Sequence, residues 1–180
     1  EENAAPRVPV DVVKSVGGLY EAPDLERKLA SIVDRLRKSS EKPNLRYSVT
    51  ILNSSAINAF ALQDGQVFIT RGLLALANDE AELAAVLAHE MAHIEANHTI
   101  ERMDQAHSAM LASKVVMSVL GDKRAAQSML VSGALSLASF SRKQELQADK
   151  IGIRMAAGAG YDPYGAARFL ENLDRYMALE

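Results

Sequence analysis

The sequence predicts an α+β fold, mostly helical, with a small sheet of about three strands. Apolar residues recur at helical spacing in several stretches, such as Leu25, Leu29, Ile32, Val33 and Leu36. Short strand candidates gather between positions 45 and 70, around an Asp64-Gly65 turn signal. From Asn78 onward the chain reads as successive helices, separated by glycines, an Asp-Pro pair and one charged break.

At 180 residues, 48% of them apolar, the chain is long enough for one domain with a real core, and disorder is a poor description. The net charge is −3 and no basic cluster occurs, which speaks against a nucleic-acid partner. There is no cysteine, so disulfides and cysteine-bearing zinc fingers are excluded and any metal must be held by His, Asp or Glu. No apolar run approaches the ~20 residues that span a bilayer. The chain starts at Glu1 rather than Met and reads as processed, which leaves its compartment open.

Residues 1–22, with Pro6, Pro9 and Gly17-Gly18, read as an extended arm, and 23–180 as the domain proper. Asp24 can cap the first helix, which Pro43-Asn44 follows. Leu45 to Leu52, Ile57 to Leu62 and Gln66 to Thr70 are strand candidates, the last two forming a hairpin. Arg71 to Ala77 begins a helical stretch. Asn78-Asp79 restarts it, with Asp79 and Glu82 fitting an acidic capping box and Leu83, Val86 and Leu87 as the core stripe. Ala109 to Phe140, broken by Asp122-Lys123-Arg124, reads as two helices. A further helix covers Arg142 to Met155, ended by Gly158 and Gly160, and Asp162-Pro163 opens the last one.

His89-Glu90-Met91-Ala92-His93 falls deep inside the helix that Asp79 caps. Residues four apart share a helix face, so both imidazoles can reach one metal ion. Glu90 sits roughly 100° around from His89, placed to take a proton from a water at the metal without becoming a ligand. A catalytic zinc needs a third protein ligand and an open position. His98 would lie ~180° around a continuous helix, which suits capping or packing. His107 would lie ~27 Å along the axis, and Glu95 faces another side. Glu145 is the best candidate, with Asp149 one turn later to accept the outer N–H of a zinc-bound imidazole. On residues alone, a surface helix of scattered acids beside Arg142, Lys143 and Lys150 is the better explanation of this stretch.

Glu145-Leu146-Gln147-Ala148-Asp149 after a His-Glu-Met-Ala-His helix resembles the gluzincin pattern. The chain most resembles the metallopeptidase family that contains the CAAX prenyl endopeptidase, HtpX and BepA. Asn58-Ala59-Phe60-Ala61, Gly65 to Leu74, and Gly160-Tyr161-Asp162-Pro163 carry the likeness over roughly residues 25–175. The resemblance implies a zincin-like fold whose edge strand, at Asn58, Ala59, Phe60 and Ala61, borders the active-site cleft and binds substrate. It implies one Zn2+ held by His89, His93 and Glu145, with Glu90 as catalytic base and Asp149 behind a ligand. It further implies a zinc-dependent endopeptidase for extended or unfolded proteins, in envelope quality control, located in a bacterial periplasm or at a membrane. The carbonyl-polarising group stays unassigned, with Tyr161, Tyr164 and Arg142 as weak substitutes. A zinc-binding adaptor or chaperone-like module of the same fold is the alternative.

Overall fold

A computed structural model of the chain describes residues 13, 17–119, 123–125, 127–128 and 139–179. Most of the expected arm, and the centre of the two helices expected across 109–140, lie outside the described residues.

Helix α1 spans Pro23–Ser39 and buries Leu29, Ile32, Val33 and Leu36, the stripe its periodicity announces. It starts one residue before the expected cap. Pro23 occupies the first turn, where its missing N–H costs nothing, and Asp24 is a first-turn acid rather than the cap. Strands β1 (Ser48–Leu52), β2 (Ala59–Ala61) and β3 (Gln66–Thr70) form one mixed sheet in the order β1-β3-β2. β1 runs parallel to β3, and β2 pairs with β3 as the expected antiparallel hairpin. All five residues of central β3 are buried. Gly65 enters β3 at φ +93, and a β-carbon there would lie 2.0 Å from the Arg46 carbonyl oxygen, so the turn requires glycine.

Helix α2 (Arg71–Leu76) is capped by Thr70, whose hydroxyl also donates 2.6 Å to the Ala56 carbonyl and so pins the chain leading into β2. Helix α3 (Glu80–Glu95) runs through the centre of the molecule. Asp79 accepts from the Glu82 N–H at 2.8 Å, while Glu82 accepts from Asn78, one residue before the usual capping-box partner. Leu83, Ala84, Leu87, Ala88, Met91 and Ile94 bury α3 against α1, the sheet and helix α5 (Arg142–Gly158).

Between them, helix α4 (His98–Val119) begins after a break at Asn97, which adopts φ 60. Ser141 and Gln144 cap α5 with a complete capping box. Helix α6 spans Gly165–Met177, two residues later than Asp162-Pro163 implied. Asp162 instead accepts from the Tyr164 N–H at 3.0 Å and closes a turn ahead of the helix. Arg168 then ties α6 to the start of α3 through Asp79, at 3.0 Å, and to Asp162. Among the described residues no helix is long and apolar enough to cross a membrane. The architecture is α+β and zincin-like, as expected.

Candidate metal centre

Two closely packed helices deliver the site. His89 and His93 project from one face of α3, and Glu145 and Asp149 from one face of α5. The two helices approach closely at Gly152, where a β-carbon would sit 3.0 Å from the His89 backbone nitrogen. Glycine at this crossing lets the α5 carboxylates reach the α3 imidazoles.

His89 Nε2 lies 3.1 Å from His93 Nε2 and 3.2 Å from Glu145 Oε2, and His93 Nε2 lies 3.7 Å from the same oxygen. A tetrahedral ion with bonds of about 2.0–2.1 Å separates its ligand atoms by about 3.3–3.4 Å, so the triangle has the size of one tetrahedral face. The outer nitrogen of His89, Nδ1, lies 3.0 Å from Asp149 Oδ1 and donates to it. That leaves a lone pair on Nε2, aimed at the same small volume as the Glu145 carboxylate. Electron-rich atoms this close repel unless a cation lies among them, so the donor set fits a divalent metal. His89, His93 and Glu145 are the sole such cluster among the described residues.

The surroundings keep one ligand, His93, in its binding form. Burial lowers His93 to about 3, with His89 and His98 adding to the effect, so its ring is neutral at any working pH. Burial likewise pushes the Glu90 carboxyl up to about 8; the Glu145 charge adds to the rise and Arg102 opposes it. A carboxyl raised towards neutrality is a stronger base than an exposed one, as a proton acceptor at this position needs to be.

Glu90, His89, Glu145 and Asp149 open onto a cleft of about 400 Å3, whose other walls include Asn58, Ala59, Val86, Phe169 and Leu173. Of the four expected substrate-strand residues, Asn58 and Ala59 line this cleft. Phe60 turns away and stacks on Phe68 at 4.9 Å, and Ala61 is buried in the core. The Thr70 N–H donates to the Asn58 carbonyl and the Leu62 N–H to the Gln66 carbonyl. The intervening Ala59 and Ala61 therefore direct their backbone groups away from β3, towards the unpaired edge. A groove of about 450 Å3 between α1 and β1, around Arg37 and Tyr47, lies apart from this chemistry.

Two neighbours of the site, Phe140 and Arg102, were not assigned from the sequence, and a third, His98, lies where the sequence did not place it. Phe140 stacks on the His93 ring with centroids 3.8 Å apart, and the Arg102 guanidinium lies 4.1 Å over Phe140. His98 is fully buried, 3.1 Å from His93, instead of on the far side of a continuous helix. The expectation of a packing role holds, but the assumed direction does not, because the chain breaks at Asn97 and α4 turns His98 back. Asn97 itself was the available signal, since asparagine tolerates positive φ and often ends helices. His107 is exposed on α4. Glu95 faces α1, accepting from the Ser40 hydroxyl at 2.8 Å.

A family model for "Peptidase family M48" matches residues 23–178. The chain belongs to peptidase family M48. The resemblance drawn from its motifs, and the metalloendopeptidase class that it implied, hold at the level of the family. Over 154 residues the chain is 33% identical to the mitochondrial metalloendopeptidase OMA1 of Schizosaccharomyces pombe, covering 81% of this chain and 43% of that protein. Over 165 residues it is 30% identical to the beta-barrel assembly-enhancing protease of Escherichia coli K12, covering 86% of this chain and 34% of that protein. OMA1 of Arabidopsis thaliana is 34% identical over 138 residues, 76% of this chain and 28% of the relative. The chain thus spans less than half the length of each of these M48 relatives.

Proposed function

We propose that this M48 chain is the catalytic domain of a zinc-dependent endopeptidase that cleaves extended segments of unfolded or misassembled proteins. The observation that carries the proposal is the convergence of His89, His93 and Glu145 beside Glu90, in a cleft walled by an unpaired strand edge. Two imidazoles and one carboxylate suit zinc, and His89 and Glu145 line the cleft.

When bound, zinc supplies Lewis acidity, acidifying a water and polarising the scissile carbonyl. The chain's own groups do the rest. Ala59 and Ala61 pair the substrate backbone to the β2 edge and hold it extended across the metal triangle. Backbone pairing reads little side-chain identity, which suits unfolded substrates. Glu90 takes the proton from the attacking water and returns it to the leaving amine. Its carboxyl is buried and near neutral affinity, so both transfers are accessible to it. Asp149 holds His89 from behind, fixing which nitrogen faces the metal. The name of the E. coli relative ties that protein to β-barrel assembly. We extend this setting to the present chain: a bacterial envelope protein, periplasmic or at the membrane surface, that acts on failed assembly products.

Cleavage of casein by the zinc-loaded protein tests the proposal against Glu90→Gln, which is isosteric but a far weaker base. The variant should bind one zinc per chain and lose at least ~100-fold in kcat, the usual scale for a general base. Equal turnover in both proteins would remove Glu90 from the reaction.

A further inference from the structure

We propose that His98 and Gln147 are positioning residues, a hydrogen-bonded relay that fixes the tautomer and orientation of His93 and commits its Nε2 to the metal. The inference rests on the zinc-site reading above. It concerns two side chains behind the site to which the mechanism gives no role.

The direction of the relay follows from its end. His98 Nε2 lies 3.3 Å from Gln147 Oε1, and an amide oxygen can only accept, so His98 donates from Nε2. A neutral imidazole carries one N–H, so His98 Nδ1 is then an acceptor. Its neighbour, 3.1 Å away, is His93 Nδ1, which must donate. The His93 lone pair is thereby confined to Nε2, the atom that faces His89 Nε2 and Glu145 Oε2. Each hydrogen bond leaves a single choice for the next.

The fold around the relay is built for it. The Asn97 break places His98 at the first position of α4, where it returns against α3. His98 is 1% exposed, so water does not compete for its Nδ1. Phe140 stacks on His93 at 18°, which fixes the plane of the ring while His98 fixes its rotation. Gln147 lies on α5 between Glu145 and Asp149, so one short stretch serves both imidazoles. The two rings are nevertheless held differently. His89 donates to a carboxylate, whereas the His93 relay ends on an amide and sets geometry without a carboxylate behind it.

Zinc affinity, measured by competition with a chromophoric chelator, and 15N NMR of the histidine rings test the relay without any turnover assay. Wild-type His93 should carry its proton on Nδ1 before and after zinc loading. His98→Leu should lose roughly ten- to a hundredfold in zinc affinity, the scale of lost ligand-orienting contacts. His98→Asn puts an amide oxygen near the former Nδ1 and should recover most of that loss. Gln147→Leu keeps the packing of His98 but should give a mixed His98 tautomer and an intermediate affinity, which preserves the test if His98→Leu fails to fold. The relay is overturned if His93 carries its proton on Nε2, if His98→Leu binds zinc like wild type, or if His98→Asn binds as weakly as His98→Leu. Unchanged zinc affinity in Glu145→Ala would instead overturn the zinc site itself.

Discussion

Gly152 is the most exacting point of contact in the site, and substituting it tests how the two helices cooperate. A β-carbon there would lie 3.0 Å from His89 N and 3.2 Å from both Ala88 C and His89 Cα. Carbon contacts settle at about 3.5–4.0 Å, so even alanine requires α3 and α5 to part by roughly half an ångström. Overpacking of this kind costs about 1–3 kcal/mol. Alanine regains about 1 kcal/mol through its better helix propensity, whereas β-branched valine regains less and adds two methyl groups. Gly152→Ala should therefore be neutral to moderately destabilising. Gly152→Val should lose about 2 kcal/mol or more, lowering Tm by about 4–8 °C at the 2–4 °C per kcal/mol of a domain this size. Asp149 and Glu145 precede Gly152 by one and two turns on the same face, so the displacement also lengthens their 3.0 and 3.2 Å contacts to His89. Zinc affinity in Gly152→Val should fall at least tenfold. Thermal melting of the metal-free protein and chelator competition read the two effects separately. A Gly152→Ala variant stabilised by the full propensity gain, or a Gly152→Val variant with wild-type zinc affinity, would refute this picture of the crossing.

Two further outcomes probe other elements. At Asp79, the Glu82 backbone N–H and then Arg168 hold the carboxyl below its ordinary value of 3.8. A folded value below the unfolded one contributes stability above the unfolded value that is lost as pH falls through the folded one. Asp79→Asn should thus flatten the acid limb of a urea-midpoint-versus-pH profile below about pH 4, and an unchanged limb would contradict the cap's role. Ala59→Pro removes an outward N–H that β3 does not use. It should leave zinc content intact while lowering kcat/KM about tenfold, the worth of one lost backbone hydrogen bond, and unchanged kcat/KM would remove β2 from substrate binding.

Much of the fold was legible because it depends on local pattern. The α1 stripe, the Asp64-Gly65 hairpin and the Asp79 cap each declare themselves within a few residues. The cap in turn places the motif helix correctly. Other features depend on the path of the chain between elements. His98 was misdirected because a helix of 3.6 residues per turn was carried through Asn97, where the backbone leaves it. The last helix starts late because Asp162 spends its side chain on a turn instead of a cap. Glu145 and Asp149 were readable only as a motif pair, since nothing local distinguishes them from surface acids; the glycine-lined crossing with α3 makes them site residues. Phe140 reaches His93, and Arg102 reaches Phe140, through tertiary packing, for which the sequence carries no periodic signature.

The central claim is that His89, His93 and Glu145 together hold a catalytic zinc. X-ray absorption at the zinc edge of the loaded wild-type protein, compared with Glu145→Ala, tests it most directly. The account predicts two imidazole nitrogens with oxygen ligands at about 2.0–2.1 Å, and a lost or altered oxygen shell in the variant. Three imidazoles around the metal, or identical spectra from the two proteins, would contradict it.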